Sequence, residues 1–102
     1  MIEGRSDDGF ALLGLQRTFR IVAIDGEDLK QGDLAGYPTS AEALPGRRRI
    51  EIDYKYTIDS NPGPRGRATL ELDAVAGRTY RIEDRFGPQP TFTFVESAAA
   101  AR

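Results

Sequence analysis

Apolar and polar residues alternate without interruption through the middle of this 102-residue chain. Ile50, Ile52, Tyr54, Tyr56 and Ile58 fall on one side of the run, and Arg49, Glu51, Asp53, Lys55 and Thr57 on the other. A period of two predicts a strand with one buried and one wet face. Leu44-Pro45-Gly46 predicts the turn that introduces it.

The same period recurs on both sides. Phe19, Ile21 and Ala23 alternate with Arg20, Val22 and Ile24. Both sets become apolar towards the end, which predicts a central strand over 15–24. Asp25-Gly26-Glu27-Asp28 is then a turn. Ala68, Leu70, Leu72 and Ala74 oppose Thr69, Glu71 and Asp73, which predicts a strand over 67–75 forming a hairpin with the long one. Tyr80 and Ile82 alternate with Thr79, Arg81 and Glu83, and Phe92 and Phe94 with Thr91 and Thr93, giving two more strands.

Breakers divide these runs. Asn61-Pro62-Gly63-Pro64-Arg65-Gly66 reads as a loop, as does most of 29–44, where Thr39 or Ser40 caps at most one helical turn over 41–43. Phe10, Leu12 and Leu13 within 6–14 suggest a short first strand or an anchoring arm. The prediction is an all-β fold of five to seven strands, a small antiparallel β-sandwich or alternatively a small β-barrel. The last three strands are expected to form a meander. The long 29–44 connection is expected to cross between sheets.

Length adds a single domain, 6–96, followed by an alanine-rich tail at 97–102. Ile2-Glu3-Gly4-Arg5 after Met1 matches a protease recognition sequence used to remove expression tags, so 1–5 is expected to be a tag remnant. No apolar run is long enough to predict a membrane-spanning helix.

Composition removes several chemistries. The chain has no Cys, His or Trp. Disulfides, thiol catalysis, Cys-zinc sites and histidine bases are therefore absent. Ser6, Ser40, Ser60 and Ser97 sit in no nucleophile motif, and neither Lys30 nor Lys55 is marked as a base for them. Asp25, Glu27, Asp28, Glu83 and Asp84 lie at or near turns, where carboxylates usually cap backbone N–H groups. Asp25, Glu27 and Asp28 with Asp33 offer oxygen ligands for Ca²⁺, but not at EF-hand spacing. Gly63-Pro64-Arg65-Gly66 leads into a strand rather than a helix, so it is no phosphate loop. The expectation is a protein that is not an enzyme and has no cofactor and no metal.

A formal net charge of −2 selects no partner by itself, yet the cations are twelve Arg against two Lys. Arg47, Arg48, Arg49, Lys55, Arg65 and Arg67 gather along the predicted hairpin near Tyr54 and Tyr56. A strand carrying cations and stacking aromatics on one face would suit single-stranded nucleic acid. The alternation puts these tyrosines on the opposite face, and Glu51 and Asp53 interrupt the basic one, which argues against nucleic acid. Arg47, Arg48, Arg65 and Arg67 at the hairpin ends, with Tyr37 in the preceding loop, remain as candidate anion or partner contacts.

Ile24-Asp25-Gly26, the Leu44-Pro45-Gly46 turn with its strand to Ile58, and Leu72, Ala76-Gly77, Tyr80 and Ile82 follow one another at a spacing that resembles small bacterial cell-envelope lipoproteins with β-sandwich domains. The resemblance covers about residues 17–83 and rests on turn and core positions. It implies a periplasmic or outer-membrane-associated binding or scaffolding module, held to a membrane only through a lipid anchor removed from this chain, with a protein or envelope component as partner. The alternatives are an interaction subunit pairing through an edge strand, as a homo-oligomer among other forms, and a small barrel binding single-stranded nucleic acid.

Overall fold

The strand foreseen around Ile50–Ile58 carries a paired neighbour on each side. In the computed structural model, which describes residues 1–6, 14–30, 36–59 and 61–96, it runs from Gly46 to Ile58. The strands in chain order are β1 (Ile2–Glu3), β2 (Arg5–Ser6), β3 (Leu15–Ile24), β4 (Glu27–Asp28), β5 (Ser40–Ala41), β6 (Gly46–Ile58), β7 (Asn61–Ala74), β8 (Tyr80–Arg85) and β9 (Thr91–Glu96). The described residues contain no helix.

One sheet has the order β2-β3-β6-β7, with β4 also on β3; the other has the order β5-β1-β8-β9. The fold is an all-β sandwich. Among the described strands, only β1 and β8 run parallel. Five strands are long and match the alternating runs. Four span two residues each, too short to show any period, and they raise the total above the expected five to seven.

The inner faces supply the core. Phe19, Ile21, Ile50, Ile52, Tyr56 and Leu72 from one sheet meet Ile2, Ile82 and Phe92 from the other. Phe19 stands edge-on to Phe92 at 5.3 Å between ring centres, the favoured arrangement of two aromatic quadrupoles. Near its end β3 carries an extra residue between Ile21 and Ala23. That bulge lets Ile21, Val22 and Ala23 all be buried, which the run of apolar residues had signalled.

The structure corrects four expectations. Residues 61–66 are strand, not loop: β7 pairs with β6 from Ile58↔Asn61 onwards, with one bulge between Lys55 and Thr57. Pro62 and Pro64 are tolerated because β7 is a sheet edge, where a missing N–H breaks no ladder. The last three strands are no meander, since β7 and β8 lie in different sheets. Ser40–Ala41 is a strand rather than a helical turn, pairing with β1. The 29–44 connection leaves and rejoins one sheet, because β3 and β6 are neighbours, and on the way lends β5 to the other. The candidate arm at 10–13, Asp33, Ser60 and the tail at 97–102 lie outside the described residues.

Residues 1–5, expected as a tag remnant, are built into both sheets through β1 and the start of β2. Ile2 is fully buried between the partners of β1. Gly4 turns the chain from one sheet to the other; its N–H donates to the Thr39 carbonyl at 2.6 Å, and a Cβ there would meet the Phe19 carbonyl oxygen at 2.1 Å. Only glycine fits so close an approach of two backbones.

Candidate functional site

The outer face of the β3-β6-β7 sheet carries the candidate site. Strand alternation sends Thr18 and Arg20 of β3, Asp53 and Lys55 of β6, and Arg65 and Arg67 of β7 to that face. Register then aligns them in two rows. Thr18 is paired with Lys55, and Lys55 with Arg65; Arg20 is paired with Asp53, and Asp53 with Arg67. These six side chains line an open hollow of about 430 Å³, together with Tyr54 and Gly66.

The two rows differ electrostatically. In the second, Asp53 sits between two guanidinium groups and accepts from Arg67 Nε at 2.7 Å. Arg20 instead donates to the Tyr37 carbonyl at 2.8 Å. Tyr37 packs its ring against Arg67, 5.8 Å from the guanidinium carbon, and its hydroxyl donates to Asp28 at 3.1 Å. The charge of Asp53, followed by the Tyr37 hydroxyl, raises the Arg67 pKa above its ordinary value. The first row has no acid. Lys55 and Arg65 face each other directly across the ladder, and no ion pair or hydrogen bond engages either among the described residues. Directly opposed like charges destabilise a sheet. Four cations and one carboxylate leave the hollow with a local excess of three positive charges.

Of the residues singled out from sequence, Arg65, Arg67 and Tyr37 therefore meet, joined by Lys55. Arg47 and Arg48 do not. They lie at the other end of the hairpin, opposite Asp73 and Leu72, roughly 25 Å along the strand from Lys55. Arg47 is paired with Glu71 and approaches Asp73 at 3.9 Å. Arg48 fastens the Leu44-Pro45-Gly46 turn, donating to the carbonyls of Leu44 at 3.0 Å and Pro45 at 2.6 Å and to Asp25 at 3.0 Å. Arg20 and Thr18 were missed. Their outward positions could be read from alternation, but not which strand they would face.

The carboxylate candidates are engaged locally. Asp25 caps its own turn, accepting from the Arg49 N–H at 2.8 Å and from Arg48; these contacts lower its pKa. Asp28 accepts from the Lys30 N–H at 2.7 Å and from Tyr37. No cluster of three metal-binding side chains occurs among the described residues. Glu83 points outward to Arg81, while Asp84 points inward.

Asp84 forms a polar clamp between the sheets. Its side chain is 7% exposed. It accepts from Tyr56 Oη at 2.7 Å and from Arg17 Nε at 2.9 Å, both from the facing sheet. Burial alone raises the Asp84 pKa, but the Tyr56 hydroxyl and the Arg17 guanidinium outweigh it and hold the carboxyl below its ordinary value. Burial first, then Asp84, pushes the Tyr56 phenol far upward. With its buried polar atoms satisfied, the Tyr56–Asp84–Arg17 clamp ties the two sheets together.

No protein-family model matches the chain, and no curated protein or solved structure does either.

Proposed function

We propose that the protein is a non-catalytic binding module of the bacterial cell envelope, and that the hollow on the outer face of β3, β6 and β7 receives an oxyanion group of its partner. One observation carries this reading: Lys55 and Arg65 stand opposite each other, and among the described residues no ion pair engages either. Such an arrangement lowers stability unless an anion completes it. An oxyanion between them would accept from Lys55 Nζ and the Arg65 guanidinium, with Thr18 and Arg20 at its border.

The envelope assignment is supported by the spacing of the Ile24-Asp25-Gly26 and Leu44-Pro45-Gly46 turns and of the core residues after them. Nucleic acid is disfavoured because Tyr56 is fully buried and the Tyr54 ring packs, tilted, against Phe92. Stacking bases therefore have no aromatic row on the basic face.

Calorimetric titration with inorganic phosphate, a phosphate-bearing envelope glycolipid and a carboxylate-bearing glycan tests the reading. Heat from at least one ligand, removed by Lys55→Glu, is expected; no heat from any of them would overturn it. Fractionation of the natural gene product from its bacterium tests the compartment. Recovery in the envelope is expected, and recovery wholly in the cytosol would refute that part.

A further inference from the structure

The edge of β7, unpaired among the described strands, is complementary to itself. The Asp25 N–H donates to the Arg49 carbonyl, and the Asp59 N–H to the Gly14 carbonyl. Odd-numbered residues of β6 thus turn their backbone groups towards β3, and even-numbered ones towards β7. Tyr54, Ile52 and Ile50 pair with Gly66, Ala68 and Leu70. It follows that Arg65, Arg67, Thr69, Glu71 and Asp73 present their N–H and C=O groups to the open edge, where the sheet ends.

Charge along this edge is segregated, basic at one end and acidic at the other. If a second copy is laid antiparallel with Thr69 opposite its own counterpart, Arg65 falls opposite Asp73 and Arg67 opposite Glu71, each twice by symmetry. On the inner face, Ala68 meets Leu70 and Gly66 meets Leu72. Charged side chains and prolines protect an edge where a second strand would meet like charge or find an outward N–H missing. Here Pro62 and Pro64 lie outside 65–73, and every facing pair has opposite sign or is uncharged. Among the described residues of the single chain no ion pair engages Arg65, and the Asp73 side chain is 81% exposed, with Arg47 only at 3.9 Å.

We infer that two copies of this chain pair through β7 about a two-fold axis at Thr69, extending β2-β3-β6-β7 into one continuous sheet. The pairing supplies up to about ten backbone hydrogen bonds, two for each pair of facing outward residues. It also gives Arg65 a carboxylate, so an oxyanion in the hollow competes with the partner's Asp73. Pairing does not depend on the hollow being a binding site, and Asp73 does not line it.

Light scattering coupled to size exclusion, from about 5 μM to about 1 mM in low salt without added phosphate, reads the assembly. A concentration-dependent dimer of the 11.2 kDa chain is expected. Asp73→Arg and Arg65→Asp should each weaken it about tenfold or more, by placing like charges opposite one another, and the double variant should restore it to within a few-fold. Thr69→Pro should abolish it and leave the circular dichroism of the single chain unchanged, because only the outward N–H is lost. A monomer at all concentrations would overturn the inference. So would a dimer indifferent to Asp73→Arg, or folded single variants whose combination fails to recover.

Discussion

Lys55 and Arg65 occupy directly opposite positions on β6 and β7, two cations where an ordinary sheet would place opposite charges. Lys55→Glu should therefore stabilise the fold, by about 0.5–1 kcal/mol in urea unfolding at low salt. The gain should shrink in ~1 M salt, where charges more than about 3 Å apart are screened. The same substitution should remove oxyanion binding. A variant both less stable and unable to bind would indicate that Lys55 packs rather than receives a ligand.

Asp84 makes the fold acid-sensitive. Its pKa is below its ordinary value, so its contribution is complete above the unfolded-state value near 3.8 and is lost as pH falls through the lower folded-state value. Asp84→Asn should destabilise the protein by roughly 2–4 kcal/mol at pH 7. The difference from the parent should narrow below about pH 4. Thermal melts from pH 7 to pH 2 measure both. An unchanged gap across that range would remove the clamp from the explanation of acid unfolding.

Tyr56→Phe separates the hydroxyl from the ring. The ring still packs on Phe19 at 6.1 Å and Phe86 at 4.8 Å. Asp84 keeps Arg17 but loses one donor, for a loss of about 1–2 kcal/mol in chemical unfolding. A loss near that of Asp84→Asn would mean that Tyr56, not Arg17, holds the carboxylate.

The first six residues give a test of how far the core extends. Ile2→Ala should destabilise the fold by about 2–4 kcal/mol. Gly4→Ala should do so as well, by about 1–3 kcal/mol, because the added methyl meets the Phe19 carbonyl. Melting temperatures of the two variants unchanged from the parent would show the segment to be an appendage.

The long strands were legible in the sequence because each buries one face. Ile50 to Tyr56 and Ala68 to Leu72 keep their alternation, and their hairpin follows. The start of β7 was not legible, because Pro62, Gly63, Pro64 and Gly66 carry a turn's composition. On a sheet edge that composition is compatible with a strand, and edge position is a tertiary property. The error hid the site: with 61–66 taken as loop, Arg65 could not be set opposite Lys55, and Arg47 and Arg48 were grouped with it. The two-residue strands were invisible for a different reason. Ile2–Glu3 and Ser40–Ala41 pair through backbone groups, which leave no pattern in side chains. From sequence alone Asp84 groups with the turn carboxylates. Its even number, shared with the inward Tyr80 and Ile82, was the signal that it faces the core.

Amide chemical shifts followed by NMR during titration with inorganic phosphate and with a phosphate-bearing glycolipid test the hollow most directly. Saturable shifts confined to Thr18, Arg20, Lys55, Arg65 and Arg67, and absent in Lys55→Glu, are the expected result. Shifts spread evenly over the surface, or persisting unchanged in Lys55→Glu, would contradict an oxyanion site between Lys55 and Arg65.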